Sequence, residues 1–176
     1  MSTLYCINTL GPEGTNCEEA ARFWLKSRGE NGNVVLHRTL EDAVDVACST
    51  PSASSLVLGC IVYPDLHHLM FRNRARLHLR ECFVMPTIEM VLASNTGAMP
   101  TVIASHPAPV DLIKNKNCKV NLVTSNSVAA QRCSSGDTDG CVTTLRAAEL
   151  FDLHVVESYG QISMGFTIHE SVSHSA

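Results

Sequence analysis

Three short stretches carry the residue types that could do chemistry. The first runs from Asn8 to Ala21 and holds Gly11, Pro12, Glu13, Gly14, Thr15, Asn16 and Cys17 between a short apolar run, Leu4 to Ile7, and a helix-like run, Glu18 to Lys26. Thr15 or Asn16 can cap that helix. A strand that turns through glycines into a helix N-terminus presents backbone N–H groups and the positive end of a dipole, a good place for a carboxylate or phosphate. The second stretch is Ser105-His106-Pro107 and the third is Ser125-Asn126-Ser127, each after an apolar run and each with a small hydroxyl in capping position. Residues 14–17, 105–107 and 125–128 are therefore read as three capped helix starts. Taken together, such ends suit a small dicarboxylate. Taken singly, each hydroxyl needs to do no more than cap its own helix.

The elements that must position these stretches follow from hydropathy. Val34 to His37 reads as a second strand, and Thr39 caps a helix running to about Cys48 with Leu40, Ala43, Val44 and Ala47 on one face. Ser55 to Val62 is a nearly continuous apolar run, as expected of a strand covered on both faces. This alternation predicts an α/β fold with a largely parallel sheet, whose ligand crevice lies outside the carboxyl ends of the strands. Val84 to Ala93 is again apolar, and the turn at Ser94 to Gly97 marks a crossover into a second lobe. There, strands are expected at Thr101–Ala104, Val120–Val123, Asp139–Thr143 and His154–Glu157. Helices are expected from Ser105 to about Asn115, from Ser125 onward, and from Thr144 to Phe151.

Composition narrows the class. The chain has 176 residues, 45% of them hydrophobic, and a net charge of −4. That is enough for one globular unit or two small lobes. A mildly acidic chain with scattered basic residues argues against nucleic-acid binding. No apolar run has the length of a membrane span and no signal peptide is seen, so a cytoplasmic protein is expected. Eight cysteines without a CxxC pair read as reduced, buried thiols. The segment 64–81, with His67, His68, Arg72, Arg74, Arg76, His78 and Arg80, reads as a solvated face, with a rim for anionic substrate as the alternative. Its histidine spacing matches no standard ligand motif, and no metal site is expected.

The words themselves resemble a family. "TLGPEGTNCEEAA" is similar to the prephenate dehydratase opening "LGPxGTxSExAA", "ASHPAPVDLIKN" to its "SHPQAL" segment, and the run from Thr124 to Val156 to its "STAxAA … AAIASxxAAxxYGLxVL" segment. The resemblance spans residues 5–168 in order. It implies a two-lobed fold of the type-II periplasmic-binding kind, with lobe one at 1–95, residues 160–170 returning to it, lobe two at 96–159, and no ACT domain. Two departures stand out. The family's "ENS" after the third strand is absent, and its "TRF" becomes Met164-Gly165-Phe166. A thioether and a hydrogen can neither give a proton nor hold a carboxylate. This look is closest to the prephenate decarboxylases of antibiotic pathways, of the bacilysin and aeruginosin type.

What the resemblance implies is a lyase of secondary metabolism that decarboxylates prephenate without aromatising the ring. Kept beside it are a dehydratase-like enzyme acting on another ring acid or thioester in a tropone-type pathway, a non-catalytic small-anion binding module, and a true prephenate dehydratase. The expected ligand is a small anionic ring compound, no cofactor is required, and a homodimer stays open. For the proton that must reach a ring carbon, His106 is the first candidate because its ordinary pKa lies near neutrality, with Glu13 and Cys17 next. Gly14, Thr15, Asn16, Ser105, Ser125, Asn126, Ser127 and Phe166 are the expected substrate contacts.

Overall fold

The computed structural model describes residues 3–172. In chain order the elements are β1 (Leu4–Leu10), α1 (Asn16–Arg28), β2 (Asn31–His37), α2 (Leu40–Ser49), β3 (Ser55–Cys60), α3 (Leu66–Arg72), β4 (Leu77–Pro86) and β5 (Met90–Ser94). Then come β6 (Val102–Ser105), a 3-10 turn (Val110–Ile113), β7 (Lys119–Leu122), α4 (Asn126–Ser134), β8 (Gly140–Thr144), α5 (Leu145–Leu150), β9 (His154–Gly160) and β10 (Ser163–Ser171). They form two compact units. One holds residues 3–11, Cys17–Met85 and 163–172; the other holds Pro12–Asn16 and Pro86–Ile162.

Each unit is built on a five-stranded sheet of the same plan. In the first the order is β2-β1-β3-β10-β4; in the second it is β7-β6-β8-β5-β9. In both, three parallel strands lie side by side and the fourth position is taken by an antiparallel strand. This is the mixed α/β architecture expected of the periplasmic-binding kind. Among the described residues no helix is long and apolar enough to cross a membrane.

The first unit's core follows the sequence periodicity. The face of α1 that holds Cys17, Ala20, Ala21, Trp24 and Leu25 is buried against Tyr5, Ile7, Leu56 and Leu58 of the sheet. Trp24 is fully buried, meets Tyr5 edge to face at 5.5 Å, and donates its indole N–H to Glu81 at 3.1 Å. A buried indole with its one donor satisfied keeps its full apolar contribution. On the other face α2 buries Leu40, Ala43, Val44 and Ala47, and Thr39 caps it by accepting from the Asp42 N–H at 3.1 Å. The second unit packs α4 and α5 on its sheet through Ala129, Ala130, Cys133, Ala147 and Ala148. Small residues there let the helices approach the strands closely.

Three expectations are corrected. The lobe boundary does not lie after residue 95: β5 pairs with β8 and β9, so the chain changes unit at Met85/Pro86. The loop Pro12–Asn16 also belongs to the second unit although its flanks belong to the first. The helix expected from Ser105 is absent; only the 3-10 turn at Val110–Ile113 forms. Pro107 and Pro109 remove two donors there, and Ser105, the last residue of β6, donates its hydroxyl to the His106 carbonyl at 2.9 Å instead of capping. Segment 64–81 holds α3 and the start of β4, and His67, His68, Arg72, Arg74, Arg76, His78 and Arg80 are all exposed, as the solvated reading expects, while Leu69 and Leu77 between them are buried.

One buried group ties this fold to pH. His169 of β10 is 5% exposed, and its Nε2 lies 3.1 Å from the Thr167 hydroxyl. Burial pulls its pKa from 6.5 down to about 4. The unfolded chain takes up a proton near the ordinary value, whereas the folded chain resists until the lower one. The contribution is therefore complete above pH 6.5 and is lost as pH falls toward about 4, up to about 3 kcal/mol. Denaturant unfolding at pH 7 and at pH 4.5 should show this loss in the wild type. His169→Gln should be less stable at pH 7 but show a smaller drop between the two.

Candidate active site at the carboxyl end of the second sheet

Because β6, β7 and β8 are parallel, their carboxyl ends open on one side of the second sheet. That is where ligands bind in such sheets. Small polar residues collect there: Ser105 at the end of β6 and His106 after it, Ser125 to Ser127 after β7, and Thr143 and Thr144 at the end of β8.

The loop Pro12–Asn16 is fastened to these strand ends. The Ser127 hydroxyl donates to the Glu13 carbonyl at 2.7 Å, and the Thr144 hydroxyl donates to the Gly14 carbonyl at 3.0 Å. Asn16 Oδ1 accepts from the Ile88 N–H at 2.8 Å. Gly14 has φ of +84°, a conformation that side chains disfavour. A Cβ there would also lie 3.4 Å from Ser127 Oγ and 3.5 Å from Ala147 Cβ, so the space is already filled to contact.

Several hydroxyls are thereby committed to the backbone. Ser127 gives its only hydrogen to Glu13, so it fixes the loop and has no proton left for an anion, which corrects its expected role as a donor to substrate. Ser105 likewise donates to the His106 carbonyl. Thr143 donates to the Asn126 carbonyl at 2.8 Å. Ser125 acts as the expected cap, accepting from the Val128 N–H at 3.1 Å, and this leaves its hydroxyl hydrogen unassigned. Asn126 Oδ1 is buried and has no hydrogen-bond partner among the described residues. An orphaned acceptor calls for a donor. Thr15 is buried in the loop.

His106 is half-buried beside Ser105, and its Nδ1 accepts from the Ala108 N–H at 3.1 Å. In the neutral ring the proton therefore sits on Nε2. Burial lowers the pKa below 6.5, so the imidazolium, when it forms, is a stronger acid than an ordinary histidine.

Two expected site residues lie in the first unit and take other roles. The Cys17 thiol is hydrogen-bonded to Cys60 and buried, and both effects push its pKa well above the usual thiol range. It keeps its proton and is neither nucleophile nor ready acid. Phe166 has no exposed surface and stacks on Phe83 with ring centroids 5.7 Å apart, so it is a core residue and not a substrate contact. The neighbouring Gly165 lies under Ile61: a Cβ would come within 2.8 Å of Ile61 Cδ1. A surface groove of about 540 Å³, lined by Arg22, Lys26, Glu30 and Asn31 among others, lies at the amino end of β2, away from the strand ends where ligands bind.

The site also contains residues that the sequence pattern did not single out. Thr144 both caps α5, accepting from the Ala147 N–H at 3.1 Å, and fastens the loop. Arg146, in the first turn of α5, lies 3.6 Å from the Glu13 carboxylate. The signal was present in Thr143-Thr144-Leu145-Arg146: a hydroxyl at a strand-to-helix junction, then a cation where the helix dipole opposes one.

No family model matches the chain. Among solved structures the chain is similar to the prephenate dehydratase of Arthrobacter aurescens in complex with L-Phe, with a TM-score of 0.71 and 16% identity, covering 98% of this chain and 61% of that one. It is also similar to the BvgS periplasmic VFT2 domain of Bordetella pertussis, with a TM-score of 0.56 and 11% identity over 96% of this chain and 80% of that one. These two likenesses concern the fold alone. Sequence goes further. The chain is 33% identical over 182 aligned residues to a protein of Bacillus subtilis named prephenate decarboxylase, spanning 96% of this chain and 87% of that one. Identity at that level along nearly the whole length of both places this chain in the prephenate decarboxylase family.

Proposed function

We propose that this protein is a lyase that removes the ring carboxylate of prephenate as carbon dioxide and leaves the ring unaromatised, giving a dihydro-hydroxyphenylpyruvate. The observation that carries this reading is the full-length identity to the Bacillus subtilis prephenate decarboxylase. The residues at the family's threonine and arginine places support it. Met164 and Gly165 offer no acid for an outgoing hydroxyl, and Gly165 packs against Ile61.

The chemistry needs few groups. The bond between ring carbon and carboxylate breaks, and its electron pair enters the ring diene. A proton then joins a ring carbon, and the C–O bond of the hydroxyl stays intact. A site of low polarity favours loss of the carboxylate as neutral carbon dioxide. We assign the proton delivery to His106, whose lowered pKa makes its protonated form a strong donor. Asn126, with its unmatched Oδ1, would take the ring hydroxyl as its donor. A hydroxyl held by its hydrogen is not being protonated, and so is not made to leave. Gly14, Thr15, Asn16, Ser105 and Ser125 complete the proposed walls, and Glu13 stands at their rim. Eight free thiols support a cytoplasmic setting.

Prephenate incubated with the purified protein should lose carbon dioxide alone, with vinyl ring protons retained in the NMR spectrum. Formation of phenylpyruvate would show dehydration instead, and unchanged prephenate would remove the reading. The pH dependence tests the histidine. Protonated His106 is the reactive form, so kcat/KM should rise as pH falls through a value below 6.5. His106→Gln should lose that limb and lower kcat by about 10²–10⁴-fold. Gly14→Ala should raise KM, because the loop can keep φ of +84° only under strain; circular dichroism would check that the variant folds.

A further inference from the structure

We propose that the free edge of β2 is a dimer interface, where two copies of this chain pair their β2 strands antiparallel about a two-fold axis at Val34.

β2 ends the first sheet, with β1 on one side and no strand on the other among the described residues. The His37 carbonyl turns to β1 and accepts from the Gly11 N–H at 2.7 Å. Successive residues of a strand direct their backbone groups to opposite sides. Asn33 and Val35 therefore face β1 as His37 does, while Gly32, Val34 and Leu36 turn their N–H and C=O groups outward. Such an edge pairs with another strand unless charge, proline, a bulge or shortness prevents it. The other sheet edges carry these devices. β7 has four residues and opens on Lys119, β9 meets β5 with register shifts, and β4 carries Arg80 and Glu81 and ends at Pro86. β2 runs in register with β1 over seven residues and contains no Lys, Arg, Asp, Glu or Pro.

The ends of the strand identify the occupant. Glu30 stands just before β2 and Arg38 just after it, at equal distances from Val34. Neither side chain has a hydrogen bond or an ion pair among the described residues. Pairing about Val34 sets each Glu30 against the Arg38 of the second copy, so the charges match at both ends. It also sets Gly32 opposite Leu36 and Val34 opposite itself. Each of these pairs joins two outward-facing residues, which can exchange both of their hydrogen bonds. A register shifted by two residues keeps that parity but parts the charges. A patch that meets itself in this way closes as a two-fold dimer.

Space agrees with charge. Gly32, Val34 and Leu36 pair with Tyr5, Ile7 and Thr9, so their side-chain positions lie on the face of the sheet that α1 covers. The groove of about 540 Å³ beside β2 is lined by Leu25, Gly32 and Val34 among others. Gly32 fills none of it. Residues directly opposite each other in an antiparallel pair share a face, so the Leu36 of the second copy enters this groove.

Sedimentation velocity over about 5–200 µM tests the interface, because dimerisation follows mass action. The wild type should move toward twice the chain mass of 19.1 kDa as concentration rises. Glu30→Arg and Arg38→Glu should each weaken the dimer at least about tenfold, since like charges then meet at both ends. The double variant should dimerise again, a rescue that a merely local role for either residue would not give. Neither position is buried, and circular dichroism would check that each variant folds. Amide exchange should slow with concentration at Gly32, Val34 and Leu36 and stay unchanged at Asn33 and Val35. A wild type that is monomeric throughout would overturn the proposal and leave this edge to an extended peptide of another protein. A dimer that survives both single substitutions, or that the double variant fails to restore, would overturn it as well.

Discussion

The second unit's strand ends depend on two hydrogen bonds to a five-residue loop. Ser127 and Thr144 reach the carbonyls of Glu13 and Gly14, which are consecutive in the chain, and Gly14 adopts a positive φ between them. The Gly14 carbonyl is buried, and without a partner it would cost more than its bond contributes, so the loop has a strong reason to stay in place. Everything proposed for the site uses that fixed loop. It sets Glu13 beside Arg146, and through Asn16 it also meets Ile88 ahead of β5.

The use of hydroxyls follows from the same constraint. Strand ends in a parallel sheet leave backbone groups to be satisfied, and small hydroxyl residues satisfy them with little bulk. Ser105, Ser125, Ser127, Thr143 and Thr144 all do this. A cluster of serines and threonines at such an edge therefore resembles an anion site even where its hydrogens are committed inward. What is left for a ligand is smaller and more specific: the Nε2–H of His106 and the unmatched acceptor of Asn126. A histidine and an amide can orient a small acid and pass it a proton.

The departures from the resembled family have a packing counterpart. The stretch Met164-Gly165-Phe166 belongs to the first unit's core, where Phe166 stacks on Phe83 and Met164 packs against the same cluster. Gly165 leaves room for Ile61, whose N–H donates to its carbonyl at 3.1 Å. Apolar packing and a backbone bond now occupy positions where an acid and a cation are the family's words. The first unit also packs Cys17 into its core beside Cys60, which with burial pushes the Cys17 thiol's pKa up.

By itself the sequence determined what depends on neighbours along the chain. The Thr39 and Ser125 caps, the buried face of α1 and the alternation of strands with helices are local, because a period or a capping residue states them within a few positions. The α/β class and the likeness to a known family follow from the same local words. Tertiary structure decided whatever needs two distant segments to meet. Whether Ser127 would bind substrate or the Glu13 carbonyl rests on a contact across 114 positions. Whether β5 would join the first sheet or the second rests on the offer of β8 and β9 as partners. Phe166 became a core residue because Phe83 of another strand faces it, and Arg146 became a site residue because the loop brings Glu13 to it. Spacing in sequence measures neither of these, since long-range pairing depends on which buried surfaces fit each other and not on the residues alongside.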